Sequence, residues 1–226
     1  MLKGKLIVIE AGDGSGKATQ TKLLFDKFST SNVKVQKVEF PDYQSDSSAL
    51  IRMYLKGEFG DEPNAVNPYA ASTFYAVDRY ASYKKGWEDF YQRGGIILAD
   101  RYATSNMVHQ AAKIEDPVER EDFLQWLWDL EFVKFKLPVP DCVIFLDMHP
   151  KYSQILINQR SDQQGIMEKD IHERNYDYLL HSYNNAVGIS KAYGWTRVDC
   201  IHNGVLREKE DIHQEIYNIV KEVIAK

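Results

Sequence analysis

A glycine-rich run set between a short apolar stretch and a helical pattern constrains this chain more than any other feature. Lys5–Glu10 reads as a strand, and directly after it comes Ala11-Gly12-Asp13-Gly14-Ser15-Gly16-Lys17-Ala18-Thr19-Gln20, where helical periodicity begins at once. Glycines let successive backbone N–H groups turn inward around phosphate oxygens, the helix N-terminus adds its positive dipole end, and Lys17 adds a point charge. The order strand, glycines, lysine, helix therefore predicts a loop that holds the phosphates of a nucleoside triphosphate; a glycine-rich turn with no ligand is the plain alternative. Two positions depart from the strict pattern. Ala11 stands where a glycine is usual, and Ala18 stands where a Ser or Thr hydroxyl usually reaches Mg²⁺. Thr19, a carboxylate from elsewhere, or the nucleotide's own oxygens and water must then hold the ion.

The rest of the chain supports a layered α/β fold. Ile96–Asp100 and Cys142–Asp147, with residues 196–201, are short runs rich in branched apolar side chains, as strands buried on both faces are. A fifth strand, over residues 33–40, alternates less cleanly and is expected at or near an edge. Helix-period segments over residues 19–28, 69–93, 118–135, 171–193 and 211–225 lie between the strands. Alternating strands and helices predict a three-layer sandwich, a five-stranded parallel sheet with helices on both faces, joined by right-handed crossovers. At 226 residues, 44% hydrophobic and without repeats or linkers, the chain is expected to form one domain. A formal net charge of −5 with no long basic run argues against a nucleic-acid polymer as partner. Cys142 and Cys200 lie in apolar stretches and suit reduced core thiols. No signal peptide or membrane span is legible, so a cytoplasmic location is expected.

The loop alone leaves an ATPase, a GTPase or a small-molecule kinase open. Further segments narrow the choice: Phe40-Pro41-Asp42-Tyr43 after the second strand, Thr73-Phe74-Tyr75-Ala76-Val77-Asp78-Arg79 in a helix, Asp100-Arg101-Tyr102 closing the third strand, then Ser105-Asn106 and His109-Gln110. Tyr75 and Arg79 are one turn apart, so an aromatic can stack on a base while a guanidinium donates to its carbonyl edge. With Arg160 and Asp170-Ile171-His172-Glu173-Arg174 downstream, these segments together resemble the thymidylate kinase family over almost the whole chain.

The resemblance implies ATP as donor, dTMP as acceptor, Mg²⁺ as the accompanying ion and a homodimer. It implies that Gly12, Asp13, Gly14, Ser15, Gly16, Lys17, Ala18 and Thr19 bind ATP, with Asp13 also facing the acceptor's 3′-hydroxyl. Phe40, Pro41 and Tyr43 would wall the acceptor pocket, Tyr75 and Arg79 would embrace thymine, and Ser105 and Asn106 would reach the same nucleotide. His109 stands where a tyrosine often crowds the sugar's 2′ position. Arg101 becomes the clamp between the two phosphates and Asp100 the carboxylate nearest Mg²⁺. A lid over about residues 160–170 would bring Arg160, and with it Lys169 or Arg174, over the phosphates, and would set Asp170 and Glu173 beside the acceptor. Members without an arginine in the phosphate loop rely on lid arginines, and this loop offers Gly14-Ser15. Glu39 replaces a common arginine two residues before Pro41. That exchange keeps two rivals in play: a deoxynucleoside kinase using a carboxylate base, and a catalytically weak nucleotide-binding protein. Trp126, Trp128, Phe132 and Phe135 supply an apolar helix surface that is either dimer interface or core.

Overall fold

The computed structural model describes residues 3–164 and 176–226. Five parallel strands, β1 (Lys5–Glu10), β2 (Val35–Glu39), β3 (Ile96–Asp100), β4 (Cys142–Asp147) and β5 (Thr196–Asp199), form one sheet in the order β2-β3-β1-β4-β5. Central β1 pairs with β3 through Ile9↔Asp100 and with β4 through Glu10↔Phe145. Its side chains alternate, as pleating requires. Ile7 and Ile9 pack on one face with Leu24 and Phe28 of α1 (Lys17–Thr30) and with Ile212, Ile216 and Val220 of the C-terminal helix. Leu6 and Val8 pack on the other face with Trp87, Tyr91 and Tyr102. Both layers are needed to bury an all-apolar strand, and β2, which has one neighbour, lies at the edge as its weaker pattern predicts.

Between β2 and β3 come α2 (Ala49–Leu55), α3 (Pro68–Ser82) and α4 (Glu88–Gln92), with a π turn over Tyr83–Trp87. Asn67 caps α3 by accepting from the Ala70 N–H at 2.9 Å, and Pro68 occupies its first turn. After β3 follow α5 (Ala103–His109), α6 (Pro117–Trp128) and a second π turn over Asp129–Lys134. The helices α7 (Pro150–Gln164), α8 (Tyr176–Ala192) and α9 (Lys209–Ile224) complete the layers.

Three expectations need adjusting. Residues 161–164, expected as part of the lid segment, continue α7. The last strand stops at Asp199 instead of running to Ile201, because Asn203-Gly204, with φ of 49° and 78°, turns the chain into a hairpin of β6 (Ile201–His202) and β7 (Val205–Leu206). Phe132 and Phe135 pack partly into the core cluster beneath the sheet, and Trp126 into the one around α6, while Trp128 is 43% exposed.

The topology has one consequence for charge. All five strands of the sheet end in a carboxylate: Glu10, Glu39, Asp100, Asp147 and Asp199. Open α/β sheets bind ligands beyond this edge. A phosphate ligand there depends on cations and backbone N–H groups that outweigh the acidic rim.

Candidate active site

The phosphate loop follows β1 and feeds α1. Gly14 and Gly16 adopt φ of 72° and 83°, conformations that favour glycine and let the chain wrap inward. Lys17, the first residue of α1, is buried, and its ammonium donates to the Gly12 carbonyl at 2.9 Å while lying 3.8 Å from Asp13. Burial, and then the nearby Arg101 charge, lower its pKa against the pull of Asp13, Asp100 and Glu10. The Ser15 hydroxyl is buried and has no hydrogen-bond partner among the described residues.

Arg101 sits one residue beyond β3 with a left-handed φ of 66°. Its Nη2 pairs with Asp13, and its Nη1 lies 3.6 Å from Glu10 and 3.0 Å from His109 Nε2. Burial alone would depress the guanidinium pKa, but Asp13, Glu10 and Asp100 together raise it, so Arg101 stays charged. Glu10 is fully buried and accepts from Thr104 Oγ1 at 2.9 Å and Ser105 Oγ at 2.8 Å. Burial raises its pKa against the fields of Arg101 and Lys17.

Beside this cluster opens a crevice of about 580 Å³. Its walls include Asp13, Phe40, Pro41, Tyr43, Tyr75 and Arg79. Arg101, Ser105, Asn106 and His109 line it as well. Every predicted acceptor residue with a described side chain thus borders one cavity. Several are already engaged. Asn106 Nδ2 donates to the Ser72 carbonyl at 3.3 Å, His109 stacks on Tyr178 with ring centroids 6.3 Å apart, and Arg79 is tied to Glu131.

Sequence reasoning missed Leu55, Tyr102 and Gln110, which also line the crevice. Among the described residues the buried Gln110 Oε1 has no hydrogen-bond partner. It missed the roles of Glu10 and Glu131 too, although a carboxylate inside an apolar strand and another in line with Phe123 and Leu127 on a helix were signals. Thr19 lies exposed on α1, whereas Asp100 is buried at the end of β3. The Arg160 side chain and residues Lys169, Asp170, Glu173 and Arg174 lie outside the described residues.

A glycine loop and helix at the carboxyl edge of this parallel sheet, opening onto a second crevice, define a P-loop kinase fold. The thymidylate kinase family model matches residues 9–216, and the chain belongs to that family. It is 28% identical over 224 residues to a thymidylate kinase of Schizosaccharomyces pombe, covering 98% of this chain and 93% of the relative. It is 29% identical over 192 residues to one of Mycobacterium tuberculosis, covering 84% of this chain and 87% of the relative. In overall fold it resembles a solved thymidylate kinase from Candida albicans, with a TM-score of 0.70 at 20% identity over 97% of this chain and 92% of that one.

Proposed function

We propose that this chain is an ATP-dependent dTMP kinase whose acceptor occupies the crevice beside β3 while ATP lies on the phosphate loop, giving dTDP and ADP. The observation that carries the reading is that Asp13 and Arg101 belong to both places: they line the crevice, Asp13 is a loop residue, and the two are paired beside Lys17. Donor and acceptor phosphates placed on either side of that pair would meet.

Phosphoryl transfer asks mainly for alignment, charge neutralisation and exclusion of water. The attacking atom is an anionic oxygen of dTMP, so no general base is needed. Lys17 holds the donor phosphates, Arg101 exchanges Asp13 for phosphate oxygens, and the family resemblance adds Arg160 as a further cation for them. Tyr75 and Arg79 read the base, Phe40, Pro41 and Tyr43 enclose the nucleotide, and Asn106 and His109 complete the pocket. Among the described residues no group of three or more His, Cys, Asp or Glu is placed to hold a metal. The site nonetheless fits Mg²⁺, which is commonly held by one or two carboxylates, nucleotide oxygens and water; Asp100 is near enough to act on Lys17 and is the carboxylate for that role. When bound, the ion would neutralise charge on the donor phosphates.

Glu39 is exposed, lies 3.8 Å from Lys37 and does not border the crevice, which removes the feature that favoured a deoxynucleoside kinase. Exposed Val77, Tyr80, Trp128 and Val133 project from α3, the end of α6 and the π turn after it, with Tyr80 against Phe135 at 5.3 Å, and support a homodimer through this face. No helix among the described residues is long and apolar enough to cross a membrane. Steady-state ADP formation with dTMP and with thymidine tests the reading: turnover with dTMP is expected, and preference for thymidine would overturn it.

A further inference from the structure

Glu131 takes a place that apolar packing would normally fill. Phe123, Leu127 and Glu131 succeed one another at intervals of four along α6 and the turn after it, and all three are buried. The carboxylate is spent on one partner. Arg79 Nε lies 3.1 Å and 3.0 Å from its two oxygens, and Arg79 Nη2 bonds to Oε1. The side chains are 2% and 0% exposed, so the pair is sealed from water. Arg79 Nη1 has only a long contact of 3.5 Å, to the Tyr102 carbonyl. Arg79 borders the crevice and Glu131 does not.

We propose that Glu131 is a positioning residue for acceptor recognition: by gripping Nε and Nη2 it fixes the plane of the Arg79 guanidinium and leaves Nη1 to donate to the 4-carbonyl of the base. The inference rests on the reading of Arg79 as a base-reading residue and says what makes that reading selective. A guanidinium has five N–H donors in a rigid fork, so a carboxylate bound along one edge dictates where the remaining donors point. An arginine on a flexible stem without this grip could swing aside, leaving the 4-position to water or donating instead to the N3 lone pair of a cytosine ring, so a carbonyl and an amino group there would be told apart less sharply. The location agrees. Glu131 lies in the π turn Asp129–Lys134, and π turns are rare elements found often at functional sites.

The test compares dTMP with 5-methyl-dCMP, which differs from it at the pyrimidine ring by a 4-amino group in place of the carbonyl and by the protonation of the adjoining nitrogen. For wild type, Arg79→Ala, Glu131→Gln and Glu131→Asp, the kcat/KM ratio of the two acceptors is measured with KM for ATP and the melting temperature. Glu131→Asp keeps the charge but withdraws the carboxylate by one methylene, and supplies the answer if the Gln variant fails to fold. Both Glu131 variants should raise the KM for dTMP and shrink the acceptor ratio by about tenfold, with KM for ATP within about twofold of wild type. A lowered melting temperature with an unchanged ratio would mean that Glu131 only braces the core, and would overturn the inference. If Arg79→Ala shrinks the ratio while the Glu131 variants do not, the inference fails and the reading of Arg79 stands; if Arg79→Ala also leaves it unchanged, both fall.

Discussion

Arg101 and Arg79 are both held by carboxylates, yet their settings differ in nearly every respect. Arg101 is 17% exposed, stands on a left-handed residue at a strand end, and shares its charge among Asp13, Glu10 and His109. Its shortest partner, Asp13, is 24% exposed and belongs to the loop that receives nucleotide. Arg79 lies in the last turn of α3, is 2% exposed and has one carboxylate partner, itself fully buried. The first arrangement can be opened by an incoming phosphate because solvent and other cations screen the change. The second cannot be opened without stranding a charge in the core. The molecule thus separates an arginine that must move charge from one that must keep still.

Lys17→Ala sets the upper scale, since it removes the cation nearest both the loop and Arg101. Turnover should fall by about three orders of magnitude with the melting temperature little changed, as preorganised charge removal does. Near-normal turnover would dismiss the loop assignment.

Arg101→Lys comes next. It keeps the charge but loses the planar fork, and should lower kcat by roughly thirty- to a thousand-fold, about 2–4 kcal/mol of transition-state stabilisation, with a smaller change in the KM for ATP. Arg79→Lys should instead act mainly on the KM for dTMP. If the two lysine variants share one kinetic signature, the contrast between the arginines is wrong.

Stability separates them further. Glu131→Ala leaves Arg79 buried and unpaired and should cost about 3–5 kcal/mol in denaturant unfolding. Asp13→Ala opens a partly solvated pair and should cost about 1 kcal/mol or less. Equal losses would mean that Arg101 is as tightly built in as Arg79.

The smallest effect is one of pH. Burial holds the Glu10 carboxyl above its ordinary value of 4.5, so the folded protein binds that proton more tightly than the unfolded chain does. The stability this confers is complete below the unfolded value and is lost as pH rises through the folded one. Glu10→Gln stays neutral throughout. Its melting temperature relative to wild type should therefore climb as pH rises above the ordinary value of 4.5, and a gap that stays flat or narrows would show that Glu10 is not carrying a buried charge.

What was legible in the sequence follows the same division. The starts and ends of β1, β3 and β4 match the apolar runs, because strands flanked on both sides have no polar residues to blur their limits. The crevice residues were legible because they border short motifs with fixed spacing. Their supports were not: Glu10 and Glu131 look like ordinary charges until burial is known, and Arg79 meets Glu131 across 52 positions of sequence. Helices α2 and α5, of 7 residues each, are too short to show a period, and α7 has little amphipathic pattern to show. The β6–β7 hairpin carried its Asn203-Gly204 signal in plain view, just beyond the stretch read as the last strand.

The contact beneath Gly14 bears on protein engineering. A Cβ built there would lie 2.5 Å from Ile157 Cγ1, 2.7 Å from its Cδ1 and 3.0 Å from the Ser153 carbonyl, on a backbone with φ of 72°. Helix α7 therefore occupies the volume that any side chain at position 14 would need. Grafting an arginine into the phosphate loop is not a one-residue operation in this protein. It would require a matched trimming of α7, so the loop and the lid-side helix form a single unit of design and must be altered together.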